Sequence, residues 1–314
     1  MTDVLTPEAA SPGGKALRIA DGFLKGDPPA FDPDLLGVWM RAADWLVETG
    51  RLEDGRAVLR VIERERPGIE WVANLLDLLE RAPPSEPGVA GFVDDHQSDF
   101  QVAPQPGSEI ALILFCGARH RLGMSLPLVH RWLERLGVSL IYLRDFHGLC
   151  YLKGVASLGS DLASTIEALR RTMEGLGACR AVCLGCSGGG FGAMRYALEL
   201  GGDAISMGSP VNMEPAFNEH MNHLAAAAQL KSAFPDEDLD LRRRISAAAR
   251  PPRTLVVYGE RNWNERIHAE HMAGAPGAAL HALAHYKGHG AAPELIRRGE
   301  LLPLIEGFIA GGPA

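Results

Sequence analysis

One stretch constrains this chain more than any other: Ala181-Val182-Cys183-Leu184-Gly185-Cys186-Ser187-Gly188-Gly189-Gly190-Phe191-Gly192. The apolar run Ala181 to Leu184 reads as a short buried strand, and Phe191 to Leu200 has helical spacing. Between them lies a sharp turn with Ser187 at its apex and small residues around it. A serine in such a turn tolerates no bulky side chain two residues before or after it, because the strand and helix backbones nearly touch there. The turn lifts the hydroxyl out of the sheet and sets the next backbone N–H, that of Gly188, beside it. A glycine-rich phosphate loop fits less well. No Gly-Lys-Ser/Thr occurs there, and the glycines do not fall in G-x-G-x-x-G order.

A chain of 314 residues holds one large α/β domain plus a smaller part, or two modest domains. Its net charge of −8 speaks against nucleic acid and anionic membranes as partners. No uninterrupted apolar run has the length of a membrane span. Met1 to Lys15 is polar, with Pro and Gly, and lacks the basic start and apolar centre of a signal peptide. The five cysteines, at 116, 150, 179, 183 and 186, are expected to be buried reduced thiols of a cytoplasmic protein. Cys183 and Cys186 have metal-site spacing but no second pair, so neither metal nor cofactor is expected.

Residues 16 to 81 are helical in pattern. Within them, Leu36 to Ile69 resembles a single tetratricopeptide repeat: Trp39, Ala42, Ala43, Leu46, Gly50, Gly55, Leu59 and Ile62 fall at its large, small and turn positions. One such repeat cannot bury its own face, so the segment is expected to pack on the rest of the chain, on a second copy or on a protein partner. Residues 83–91 read as a linker. After it come strands at Ile110–Phe115, Val138–Leu143, Ala181–Leu184, Asp203–Met207, Thr254–Tyr258 and Ala279–His285. Helices are expected between them, including Pro127–Leu136, Leu158–Leu176 and Pro293–Ile309. Such alternation of apolar strands and helices predicts a doubly wound, mainly parallel sheet. The stretch 210–252 interrupts it and reads either as a lid, with Met213, His220, Met221 and His223 near a substrate entrance, or as a plain helical insertion.

This order of elements, with the serine on the turn after a middle strand, resembles the α/β-hydrolase fold over roughly Phe92 to Ala310. The family order of nucleophile, acid and histidine directs the search for partners. His289, in Lys287-Gly288-His289-Gly290 after the last strand, fits the histidine, ahead of His281 and His285. The acid is expected after Thr254–Tyr258, where the family writes Gly-x-x-Asp. Here the chain reads Gly259-Glu260-Arg261-Asn262, with an amide at the usual position. Two carboxylates remain, Glu265 and Glu260, with Glu265 preferred.

The resemblance further implies an oxyanion hole from the N–H groups of Gly188 and Ala118. Arg119, His120 and His147 then stand at the mouth as candidate substrate contacts, and Arg144-Asp145 as a structural ion pair. The activity implied is a serine hydrolase acting on small-molecule esters or thioesters. An acyltransferase using the same three residues is the alternative among enzymes. A binding or scaffold protein on this fold is the alternative outside them, and Asn262 is the residue that favours it.

Overall fold

Short apolar runs such as Ile110–Phe115, Leu140–Leu143 and Ala181–Leu184 favour burial, and here they line up at the centre of one sheet. The computed structural model of the chain describes residues 11–84, 92–117, 119–221 and 224–311. Two compact units result: Met1–Asp94 with Ser125–Trp132, and Asp95–Met124 with Leu133–Ala314.

The first unit is helical. Its helices are α1 (Pro12–Leu24), α2 (Leu36–Glu48), α3 (Leu52–Glu65) and α4 (Glu70–Arg81). Ser11 caps α1, its hydroxyl accepting the Gly14 N–H at 3.0 Å. Trp39, Ala42, Leu46, Leu59 and Ile62 form the buried face, with Phe23 edge-on to Trp39 at 6.1 Å between ring centres. Ser125–Trp132, which carries most of helix α5 (Leu126–Leu133), belongs with this unit. There His130 stacks on Phe92 at 4.8 Å, and burial pushes its pKa down to about 4.

The second unit is a mixed α/β domain. Its strands are β1 (Phe100–Ala103), β2 (Ile110–Phe115), β3 (Ser139–Leu143), β4 (Arg180–Cys186), β5 (Asp203–Met207), β6 (Thr254–Gly259) and β7 (Ala278–Leu283). They form a seven-stranded sheet in the order β1-β3-β2-β4-β5-β6-β7. Only β1 is antiparallel, pairing Phe100 with Leu143. Every residue of β3 is buried although alternate side chains point to opposite faces, so the sheet is covered on both sides. Helix α6 (Leu162–Gly175) starts from a capping box in which Asp161 accepts the Ser164 N–H at 2.8 Å. Helix α7 (Gly188–Leu200) follows β4 with a single residue, Ser187, between them.

The interruption at 210–252 contains α8 (Leu224–Ala233), α9 (Asp236–Leu239) and α10 (Leu241–Ala247). Part of it packs into the core. Ala227, Leu230, Leu239, Leu241 and Ile245 belong to the same buried cluster as Phe191 and Met194 of α7. Arg195 of α7, nearly buried, pairs with Glu199 and with Asp238 of α9, and Arg244 of α10 meets Asp238 at 2.7 Å. Met213 is likewise in the core and His220 is exposed; His223 lies outside the described residues.

Three further expectations are corrected. The expected helix Pro293–Ile309 is two, α12 (Ala291–Arg298) and α13 (Leu301–Ile309), because Gly299 ends the first in the left-handed conformation, φ 71°. Between β6 and β7 lies α11 (Trp263–Met272), and β7 stops at Leu283, which leaves His285 in the turn beyond the strand. Among the cysteines, Cys179 is exposed and Cys150 half-buried. Burial pushes the thiols of Cys150 and Cys186 up to about 12.

Candidate active site

In a parallel sheet the loops after the strands' carboxyl ends gather on one side. Five such loops matter here, those after β2, β3, β4, β6 and β7.

The loop after β4 is Ser187 alone. Its backbone is held at φ 54° and ψ −132°, a conformation that an L-residue adopts only under constraint. Its N–H donates to Met207 O at 3.0 Å, tying the turn to β5. Glycine is required on both sides. A Cβ on Gly185 would stand 2.2 Å from Gly189 O, and one on Gly189 would stand 2.1 Å from Phe115 O. The serine hydroxyl is therefore raised on a turn that no larger residue could build.

His289 comes from the loop after β7. Its Nε2 lies 3.0 Å from Ser187 Oγ and its Nδ1 lies 2.8 Å from Glu265 Oε1. Tyr286 braces this loop, its hydroxyl accepting the Gly290 N–H at 3.2 Å. Glu265, on the first turn of α11, is only 4% exposed, and its other oxygen accepts the Gly259 N–H at 2.8 Å. With Oε1 facing the ring and Oε2 fixed by the backbone, Nδ1 carries the proton donated to the carboxylate, and Nε2 is left to accept from the serine. The hydrogen bond to Glu265 raises the His289 pKa above the ordinary histidine value, against an opposing loss of solvation.

Asn262 has a structural task of its own. It is the N-cap of α11, and its Oδ1 accepts the Glu265 N–H at 3.3 Å. Asn-x-x-Glu is a capping-box sequence. Here the glutamate does not fold back on the cap; it turns to Gly259 N and His289. The Asn262 amide donates to Gly288 O at 3.1 Å and so ties the acid loop to the histidine loop. Glu260 points elsewhere, accepting the His285 N–H at 2.6 Å.

The loop after β2 lies against the nucleophile: a Cβ on Gly117 would be 3.2 Å from that of Ser187. Gly117 N–H donates to Arg121 O at 2.9 Å, closing a tight turn. Gly188 N–H follows the serine as expected from its place in the turn; Ala118, the other expected oxyanion donor, lies outside the described residues. His120 sits edge-on to Phe146 at 5.0 Å, and burial, aided by Arg144, lowers its pKa. Arg144 donates to Ser98 O at 2.9 Å and to Asp95 O at 3.2 Å. Asp145 accepts the N–H groups of His147 at 3.1 Å and Tyr151 at 2.9 Å, fixing the loop after β3.

Sequence reading passed over two tyrosines here, Tyr286 and Tyr151. The hydroxyl of Tyr151 lies 2.9 Å from Cys116 O and 2.8 Å from Leu143 O, under the loop beside Ser187. An aromatic in a loop carries no local signal of such a role.

Two cavities flank the serine. One, of about 260 Å³, is lined by Gly188, His120, Asp145, His147 and Cys150. The other, of about 390 Å³, is lined by Ser187, His289, Arg119 and Arg121. Among the described residues, neither draws a lining residue from 210–252.

No protein-family model matches the chain. No curated protein matches it in sequence. Solved structures do resemble it. An esterase of Pyrococcus furiosus is 14% identical, over 74% of this chain and 99% of that one, with a TM-score of 0.46. An alpha/beta hydrolase from a metagenome of lagoon sediments at Mar Chica, Morocco, is 14% identical over 69% and 98% of the two chains, with a TM-score of 0.46. Est816, an N-acyl homoserine lactone degrading enzyme, is 15% identical over 68% and 98%, with a TM-score of 0.44. These are proteins that the chain is similar to.

Among the described residues no group of His, Cys, Asp and Glu could hold a metal ion, and no helix is long and apolar enough to cross a membrane.

Proposed function

We propose that this protein is a serine-dependent hydrolase of carboxylic esters or thioesters. One observation carries the reading: a strained serine, an imidazole and a buried carboxylate joined by contacts of 3.0 and 2.8 Å. Ser187 Oγ attacks the acyl carbon while His289 Nε2 takes its proton. Glu265 holds the imidazolium that forms. The Gly188 N–H, with a second N–H assigned to Ala118, faces the oxyanion. The bond from carbon to the leaving oxygen or sulfur then breaks, and His289 returns the proton to that atom. Water, deprotonated by His289, attacks the acyl-enzyme and releases the acid, and the proton goes back to Ser187. Alkoxides and thiolates ask less of the acid than amines do, which favours esters and thioesters over amides.

Hydrolysis is favoured over acyl transfer by the exposure of the His289 side chain, 54%, which leaves water a path to Nε2. The scaffold reading loses its main support, since Asn262 has its own structural task and the carboxylate comes from Glu265. Labelling with a fluorophosphonate probe tests the proposal. Wild type should react, and Ser187→Ala should neither react nor hydrolyse esters while melting as wild type does. Absence of labelling in the wild type would sink it.

A further inference from the structure

Under the hydrolase reading above, on which this inference rests, three of the four bonds at the attacked carbon point to known groups. One joins Ser187 Oγ. The oxyanion faces the Gly188 N–H, and the leaving atom faces His289 Nε2, from which it takes its proton. The leaving group thus belongs to the cavity of about 390 Å³ that Ser187 and His289 line. The other cavity, of about 260 Å³, is lined by Gly188 and not by His289, and it is left for the acyl chain. Its volume is below the roughly 300–1,000 Å³ of sites that enclose a drug-sized ligand.

One wall of that smaller cavity is Cys150. Its Sγ lies 3.5 Å from where a Cβ on Gly188 would stand, so the sulfur packs directly beside the residue that follows the nucleophile. The backbone there is fixed. Cys150 and Tyr151 both have left-handed φ, 50° and 65°, which residues with side chains keep only where the surroundings impose it. Asp145 accepts the Tyr151 N–H at 2.9 Å, the Tyr196 hydroxyl donates to Tyr151 O at 3.1 Å, and the Tyr151 hydroxyl lies 2.8 Å from Leu143 O. The Tyr151 ring also packs on α7, where a Cβ on Gly192 would stand 2.6 Å from it. Two other lining residues, His120 and Phe146, meet edge-on at 5.0 Å and join the loop after β2 to the loop after β3. Burial pushes the Cys150 thiol up to about 12, so it stays neutral and offers a soft surface rather than a second nucleophile. We infer that Cys150 limits the length of the acyl chain, and that the natural substrates are esters or thioesters of short acyl groups, acetyl to butyryl.

The test is a series of para-nitrophenyl esters: acetate, butyrate, hexanoate and octanoate. In a pocket with no end wall, each further buried CH₂ would raise kcat/KM by roughly fourfold. With Cys150 as the wall, kcat/KM should instead peak at acetate or butyrate and be lower on octanoate by on the order of tenfold, as overfilling a packed site warrants. Cys150→Gly removes the sulfur and suits the positive φ, and it should raise the hexanoate-to-acetate ratio several-fold. Cys150→Leu should lower the butyrate-to-acetate ratio by a similar factor. Should that variant not fold, Cys150→Gly and Cys150→Ala carry the test. The ratio of phenyl acetate to naphthyl acetate, which varies the leaving group alone, should be the same in wild type and Cys150→Gly. A wild type that gains with every added CH₂ overturns the inference. So does an acyl profile unchanged in Cys150→Gly and Cys150→Ala, or a variant that shifts the leaving-group ratio instead. An enzyme that labels with fluorophosphonate yet gives any of these results fails this inference alone. An enzyme that neither labels nor cleaves any of the esters fails the hydrolase reading, and this inference with it.

Discussion

The centre of the site and its rim are held in different ways. Ser187, Glu265 and the loop of His289 are fixed by backbone: Ser187 N–H to Met207 O, Gly259 N–H to Glu265, and Asn262 to both Glu265 N and Gly288 O. At the rim, Arg119, His120 and His147 project from loops that are themselves pinned, by Gly117, Tyr151 and Asp145, but their side chains are exposed or half-buried. Proton transfer needs reacting atoms placed within fractions of an ångström, whereas contacts with the outer parts of a substrate tolerate adjustable side chains. Damage at the centre should therefore appear in kcat, and damage at the rim in KM.

Four substitutions probe that contrast, from strong to weak. Glu265→Gln keeps the shape but loses the charge that stabilises the imidazolium, and kcat should fall by about 10³- to 10⁴-fold. Steady-state kinetics on a neutral ester checks this; a drop under tenfold would place the acid elsewhere. Leu239→Ala, in the insertion, should cost about 2–5 kcal/mol of stability, as truncation of a buried leucine does, with kcat of the folded enzyme unchanged. Denaturant unfolding measures it, and a near-zero cost would contradict the core packing of Leu239. Asn262→Ala removes a helix cap worth about 1 kcal/mol and frees the acid loop, so kcat should fall by about tenfold. Glu260 is exposed and meets the His285 N–H, so Glu260→Gln should be nearly silent in both kcat and stability.

The pH dependence sharpens the same point. In the proposed mechanism His289 must be neutral to accept the serine proton, and its hydrogen bond to Glu265 raises its pKa. Activity should thus rise with pH through a value above the ordinary histidine pKa of about 6.5. In Glu265→Gln that limb should move to lower pH. Stability runs the other way. A raised folded-state pKa stabilises the fold fully below the unfolded value, and that contribution is lost as pH rises through the folded one. The stability gap between wild type and Glu265→Gln should be wider at acid than at alkaline pH.

The legible parts of this molecule are those that local rules determine. Gly185 and Gly189 are needed by backbone approach, so the tight turn at Ser187 could be read from its neighbours, and the place of His289 after the last strand from the order of elements. The core strands were marked by apolar runs, as in Ile110–Phe115 and Leu140–Leu143. The edge strand β1, Phe100–Ala103, was not: four residues with a polar Gln101 have too little pattern. The insertion hid its core role because alanines dilute the helical spacing of Leu230, Leu239 and Ile245. The acid stayed open between Glu265 and Glu260 because the choice depends on where a cap turns a side chain. Tyr151 bonds Cys116 O, a backbone group 35 residues away that only the folded chain brings near.

The account stands on Ser187 being activated by His289. Its most direct test is the site of phosphonylation, read by mass spectrometry of the digested, probe-treated protein. The account predicts a single adduct on Ser187, formed quickly in wild type and slowed by a large factor in His289→Ala. An adduct on another residue, such as Ser125 or Ser209, or one whose rate is unchanged in His289→Ala, would contradict it.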